Sequence, residues 1–365
     1  MNSPQRILIC PLDWGLGHAT RCIPIIKEIQ KQGATPIVAA GTRQILLLKE
    51  EFPALEYIHF PGYSIHYANK SSMLISMLLQ VPKILRGIYK EQQLLKQLLI
   101  INKIDGVISD NRFGLSSQQV PAIFMSHQVF IKAPVAFKFL EALIFRLNTY
   151  FIKKYKACWI PDYADGTTLS GELSHLHPLP EHYKFIGPLS RFQPSSHPSE
   201  NPIKWELLVM LSGPEPQRSI FENMVLKQLA NTSLQVLIVR GLPGAANLEV
   251  PSKNCIILNH LPSKALQAEI EAAKLVLCRP GYSSLMDLAV LNKKAVFVPT
   301  PGQTEQEYLA TYFANKNLCA FQQQENFDLN KLMAESHKVK GLNIALRPDL
   351  LKNAVQDFLS TCAEK

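Results

Sequence analysis

The chain has 365 residues, 47% hydrophobic and 18% charged, enough core material for two globular domains and unlike disordered or collagen-like chains. No uncharged apolar run reaches the ~18 residues of a membrane span, and no secretory signal pattern opens the chain. Seven scattered cysteines without a C-x-x-C pair read as reduced, buried thiols of a cytoplasmic protein, and the net charge of +9 is concentrated as +7 over residues 1–187, which points to an anionic partner of the first half.

In chain order, Ile7–Pro11 reads as a strand that ends in the loop Asp13-Trp-Gly-Leu-Gly-His18. Gly15 and Gly17 let the backbone approach a phosphate or sugar closely. Thr20 stands where a dinucleotide fingerprint needs its third glycine, and no acid closes the second strand at Ala39-Ala40-Gly41, so a dinucleotide site is not expected. His18, at a helix start, is either a general base or a residue packing the helix terminus. Asp13 either assists it or caps the loop. The helix that follows carries Cys22, Ile25, Ile26 and Ile29 on one face and stops at Gly33.

Thr35–Ala40 is the next strand, and Met73–Ile101 is largely helical with an interruption near Pro82. Gly106–Ser109 and Ala122–Met125 are short buried strands that deliver Asp110, Arg112, His127 and Gln128 at their ends, where an acceptor site would be built. The segment from Ile131 to Lys156 sets Lys132, Lys138, Arg146, Lys153, Lys154 and Lys156 among aromatic and aliphatic residues against a single Glu141. It is either an amphipathic helix lying on an anionic membrane or a core helix whose lysines snorkel to water. No nucleic-acid motif accompanies the basic charge.

Prolines and serines between Pro188 and Pro202 mark a linker. The expected organisation is a first domain over 1–187, a linker over 188–204, a second domain over 205–342 and a segment over 343–365 placed back on the first domain. In the second half, Leu207–Leu211, Val236–Val239, Cys255–Leu258, Leu275–Cys278 and Val296–Pro299 read as strands, with helices from Ser219 and over Arg347–Ala363. The expected fold class is α/β: two doubly wound, Rossmann-like domains with parallel sheets facing an interdomain cleft.

Two strand–turn–helix stretches, Val276–Leu288 and Ala295–Leu309, would each open a helix with free N–H groups toward phosphate. Arg279 is placed to grip a diphosphate bidentately, and Arg218 is a similar cation. Ser284-Leu-Met-Asp287 matches a capping box, or Asp287 accepts the ribose hydroxyls of a nucleotide. Thr304-Glu-Gln-Glu307 matches another, with Glu307 structural and Gln306 left to read sugar hydroxyls. There is no H-E-x-x-H, D-x-D pair, Walker A or G-x-S-x-G in a suitable place, so neither a metal nor a hydrolase nucleophile is expected.

Together, Cys278-Arg-Pro-Gly281 through Asp287, Phe297-Val-Pro299 through Tyr308, and the amino-terminal glycine loop with His18 resemble the GT-B glycosyltransferases of the MurG-like group, with its family 28-type donor domain. The resemblance implies inverting, metal-independent and cofactor-free transfer of a hexose or N-acetylhexosamine from a UDP-sugar to a lipid-linked or other glycan acceptor, with peripheral association at the inner membrane face. It implies a donor site of Ser212, Gly213, Arg218, Leu261, Arg279, Gly281, Ser283, Ser284, Asp287, Gln306 and Glu307. It also implies an acceptor side with Gly15, Gly17, Arg112, His127 and Gln128, and catalysis by His18 with Asp13 or Asp110. Glu307 replaces the second glutamine of the group's sugar-reading pair, and Leu211-Ser-Gly-Pro-Glu-Pro-Gln217 is proline-rich where MurG has a Gly-Gly-Ser loop. A nucleotide-sugar hydrolase of the same architecture, or a non-catalytic nucleotide-sugar-binding protein, would share most of these residues.

Overall fold

The computed structural model describes residues 3–62, 80–194, 202–230, 232–243, 245 and 254–364. Residues 73–79 of the expected helix and 195–201 of the expected linker lie outside them. The chain divides into two compact units, residues 1–189 with 346–365, and residues 190–345.

Unit 1 is built on seven strands, β1 (Arg6–Cys10), β2 (Thr35–Ala40), β3 (Glu56–His59), β4 (Gly106–Asp110), β5 (Ala122–Met125), β6 (Ala157–Ile160) and β7 (Tyr183–Phe185). They pair in parallel in the order β3-β2-β1-β4-β5-β6-β7. Central strands such as Ile7-Leu-Ile-Cys10 are wholly buried, because a parallel sheet is covered on both faces and needs continuous apolar runs. The half-polar edge strand Glu-Tyr-Ile-His and the three-residue β7 have no such run, and neither stands out by pattern. The helices are α1 (Leu16–Lys31), α2 (Thr42–Glu51), α3 (Val81–Ile101), α4 (Glu141–Ile152) and the short α5 (Glu172–His175). Pro82 sits in the first turn of α3, where its missing N–H costs no helical hydrogen bond, and the part of the expected helix before Gln80 lies outside the described residues.

Unit 2 repeats the plan with β8 (Leu207–Met210), β9 (Val236–Val239), β10 (Cys255–Leu258), β11 (Val276–Cys278), β12 (Ala295–Phe297) and β13 (Ala320–Phe321), in the order β10-β9-β8-β11-β12-β13. Its helices are α6 (Gln217–Leu229), α7 (Ser263–Glu271), α8 (Tyr282–Val290), α9 (Thr304–Asn315) and α10 (Leu329–Ser336). In each sheet the strand order reverses once, beside β1 and β4 in unit 1 and beside β8 and β11 in unit 2. A doubly wound sheet opens a crevice at the carboxyl ends of the strands at such a reversal, and ligands bind there.

The last helix, α11 (Asp349–Ala363), belongs to unit 1. Phe358 meets the buried Trp159 edge-on at 5.9 Å. A Cβ at Gly106 would fall 2.6 Å from Cys362 Sγ and 2.7 Å from Phe358 Cζ, so only glycine lets α11 close on β4.

The Ile131–Lys156 segment is not a core helix. In α4 only Asn148 and Ile152 are buried, while Phe139, Leu143, Leu147 and Tyr150 are more than half exposed and recur at the i, i+4, i+8, i+11 spacing of one helical face. Lys138, Arg146, Lys153 and Lys154 are exposed around them. Among the described residues no helix is long and apolar enough to cross a membrane.

Candidate functional site

In unit 1 the strand-order reversal gathers four polar side chains from three elements. His18 stands on the first turn of α1, Asp110 closes β4 and His127 follows β5. The fourth, Arg21, lies three residues along α1 from His18 and is 2% exposed. His18 Nδ1 is 2.9 Å from Asp110 Oδ2. Arg21 donates from Nε to the same oxygen at 2.8 Å, and from Nη2 to Asp110 Oδ1. Its Nη1 lies 3.0 Å from His127 Nδ1.

Asp110 is completely buried. Burial works to raise its pKa, but the Arg21 guanidinium and His18 outweigh burial and hold the carboxyl below the usual carboxylate range. Burial, then the charge of Arg21, lowers the His18 pKa against the pull of Asp110, so the imidazole is neutral at neutral pH. An ionised carboxylate at Nδ1 favours the proton there, which leaves the Nε2 lone pair to accept one. Among the described residues no hydrogen bond engages Nε2. This is the arrangement of a general base with its orienting acid.

Asp13 does not partner His18. Its carboxylate accepts the Gly41 N–H at 3.0 Å and the Gly62 N–H at 2.5 Å, tying together the loops after β1, β2 and β3. Arg112 is fully buried and offers nothing to a ligand: Nε donates to Glu91 on α3 at 3.0 Å, Nη1 donates to the Phe60 carbonyl at 3.0 Å, and the guanidinium lies over the Phe60 ring. Gln128 donates its N–H to Ser126 Oγ and accepts Asn148 Nδ2–H on its carbonyl, so its backbone shapes the loop after β5. Gly15 is exposed at the N-terminus of α1, and Gly17 accepts the Thr20 hydroxyl.

In unit 2 the corresponding edge carries exposed Ser212 and Gly213 after β8, with Gly213 at a φ of 102°. Thr300 Oγ1 lies 3.7 Å from where a Cβ on Gly213 would sit, and it is buried without a hydrogen bond among the described residues. Helix α8 starts at Tyr282 with Gly281 as N-cap, so Ser284 is inside the helix and the expected capping box does not form. With no capping side chain and no acid in its first turn, α8 presents N–H groups and a positive dipole end beside Ser283 and Ser284. Helix α9 differs: Glu305 and Glu307 occupy its first turn, which disfavours an anion there. The two turns are therefore not equivalent phosphate sites. Glu307 Oε1 accepts the Gly302 N–H at 3.1 Å. Gln306 does have a structural task, since its buried Oε1 accepts the Thr300 N–H at 2.8 Å in the loop after β12. Leu261 is half-buried just beyond β10.

Neither expected cation is available. Arg279 is 1% exposed; it donates to the Val298 and Pro299 carbonyls at 2.8 Å each, to the Gln217 carbonyl at 3.2 Å and to Gln324 Oε1 at 2.5 Å, and it lies over the Phe221 ring. Burial pushes its guanidinium down to about 10. Arg218 is spent on Glu215, Ser219 and Glu222. A third cation, Arg191, which sequence reasoning missed, is paired at Nε alone among the described residues. Its Nε donates to Asp287 Oδ2 at 3.2 Å, while Ser190 Oγ donates to Oδ1 at 2.7 Å. No hydrogen bond among the described residues uses the Arg191 Nη1 and Nη2 groups. Asp287 is buried; burial raises its pKa and Arg191 partly offsets the rise. Arg21 was missed as well. Its signal was a cation on the apolar face of α1, among Cys22, Ile25 and Ile26.

Residues 219–343 match the glycosyltransferase family 28 C-terminal domain. Over 332 residues, 87% of this chain and 85% of the relative, the chain is 21% identical to the UDP-N-acetylglucosamine--N-acetylmuramyl-(pentapeptide) pyrophosphoryl-undecaprenol N-acetylglucosamine transferase of Haemophilus ducreyi. Among solved structures it resembles the kitacinnamycin glycotransferase (TM-score 0.63, 13% identity, 99% of this chain and 96% of that one). It also resembles the calicheamicin glycosyltransferase (0.59, 14%, 100% and 95%) and MurG of Acinetobacter baumannii (0.56, 14%, 98% and 100%). At such identities the structural likeness speaks for the fold. The chain thus carries a glycosyltransferase family 28 C-terminal domain over residues 219–343, has the two parallel α/β units of the GT-B fold, and is similar to the MurG-like glycosyltransferases.

Proposed function

We propose that this enzyme transfers a hexose or N-acetylhexosamine from a UDP-sugar to a lipid-linked or other glycan acceptor, with inversion and without a metal. The observation that carries the reading is the His18–Asp110 pair, a neutral imidazole with an orienting carboxylate at a strand-order reversal. His18 Nε2 takes the proton of the acceptor hydroxyl as its oxygen attacks the anomeric carbon, and UDP leaves from the opposite face. The charge that grows on the diphosphate is met by the uncapped start of α8 and by the Arg191 fork. Donors fixed in advance favour the transition state over the ground state. Asp287 keeps Arg191 in place and accepts the ribose hydroxyls. The relative from Haemophilus ducreyi is named for a UDP-sugar donor and an undecaprenol-linked acceptor, which supports the same classes here.

Calorimetric titration with UDP, GDP and TDP tests the donor half of this reading. UDP is expected to bind selectively and about tenfold more weakly to Asp287→Ala, the size of one charge-assisted hydrogen bond. Equal or absent binding of all three nucleotides would overturn it.

The exposed Phe139–Tyr150 stripe with its basic surround is the face that meets the membrane holding a lipid-linked acceptor. Sedimentation with anionic vesicles is expected at low salt, with release at high salt. Binding that ignored salt would remove the electrostatic part.

A further inference from the structure

The geometry points to Arg21 as a positioning residue that fixes which nitrogen of His18 carries the proton and couples that choice to His127. This inference rests on the reading of His18 as the base. Arg21 and Asp110 both approach His18 Nδ1, Arg21 Nη2 at 2.8 Å and Asp110 Oδ2 at 2.9 Å. The two contacts exclude one another. A guanidinium has only donors and a carboxylate only acceptors, so Nδ1 either receives from Arg21 or gives to Asp110. In the first state Nε2 holds the proton and His18 cannot act as a base. In the second Nε2 is a lone pair aimed at substrate.

Arg21 biases the pair toward the second state through its other bonds. Nε and Nη2 both donate to Asp110, keeping the carboxylate charged and aligned as an acceptor for Nδ1–H. Nη1 meets His127 Nδ1 at 3.0 Å, and since the guanidinium can only donate, that nitrogen accepts and His127 carries its proton on Nε2. One buried side chain thus orders the acid, the base and the imidazole after β5. The groups facing His18 are Arg21 from its own helix, Asp110 from β4 and His127 from the loop after β5.

A residue with this task should affect turnover and its pH dependence more than donor affinity. Arg21→Lys keeps the charge but cannot fork across Asp110 and His127. Its kcat is expected to fall roughly 10- to 100-fold with the KM for donor unchanged, and ring 15N NMR of His18 should show the proton no longer confined to Nδ1. Arg21→Gln also removes the charge that holds the imidazole neutral, so the acid limb of kcat/KM should move to higher pH. If Arg21→Gln does not fold, the NMR signature and kcat–KM split of Arg21→Lys decide the matter. A variant that loses kcat with the His18 tautomer and acid limb unmoved, or one that keeps full kcat, overturns the inference. Full turnover in His18→Ala would instead sink the reading of His18 as base.

Discussion

His18→Ala is expected to lower kcat about 10²- to 10⁴-fold, the usual worth of a general base, while calorimetric affinity for UDP stays unchanged. The asymmetry follows from where His18 sits. It belongs to unit 1, on the first turn of α1, whereas the nucleotide is proposed to bind in unit 2 around α8. Asp110→Asn should lose nearly as much. An amide at that position can donate to Nδ1, which would leave the proton on Nε2 and hold the imidazole in its unreactive tautomer. It also strands the buried Arg21 without its counter-charge, so the melting temperature of this variant should be recorded with its rate. The product separates the rival reading. A hydrolase releases free sugar from the donor without acceptor, at a rate that depends on His18; a transferase does so slowly and is accelerated by acceptor. A His18→Ala enzyme with normal turnover would remove His18 as the base in either reading; a parent protein that binds UDP but turns over no donor, with or without acceptor, would be a binding protein.

Arg279→Met is expected to destabilise the fold by about 3 kcal/mol, because the Val298, Pro299 and Gln217 carbonyls and the Gln324 amide all lose a buried donor. For a unit of this size that is a melting-point drop of roughly 6–12 °C. Such of the variant as folds should bind UDP nearly as well as the parent. The opposite pattern, a stable variant that no longer binds UDP, would restore Arg279 as a diphosphate ligand and show that the buried position is not the working one. The contrast lies in binding: Arg191→Ala should weaken UDP, and because it also leaves the buried Asp287 without its counter-charge, its melting temperature should be recorded with its affinity.

Much of the fold was legible because parallel strands are buried on both faces and so announce themselves as apolar runs. Val236–Val239 and Ala122–Met125 were read residue for residue. The edge strands β3 and β7 were not, since exposure removes the pattern. The site was legible in part. His18 and Asp110 stood out as polar residues at strand ends, and the structure brings them together. Arg279 and Arg112 stood out for the same reason, yet both turn inward: a cation just past a strand can satisfy the carbonyls of neighbouring loops as readily as a phosphate, and sequence spacing does not separate the two. The capping boxes at Ser284 and Thr304 misled because each helix begins earlier, at Tyr282 and at Thr304 itself, behind N-caps Gly281 and Gln303. Arg191 went unremarked because the stretch around it reads as a linker.

The return of α11 to unit 1 has a consequence for biogenesis. Unit 2 is continuous in sequence, whereas unit 1 is not complete until Phe358 and Cys362, which pack against Trp159 and β4 at Gly106, have been translated after all of unit 2. For as long as unit 2 takes to be made, the amino-terminal half waits with one flank of its sheet bare, a state in which exposed apolar surface invites aggregation. Contacts that span so much sequence are also slow to close. The half that emerges first is therefore the last to be finished.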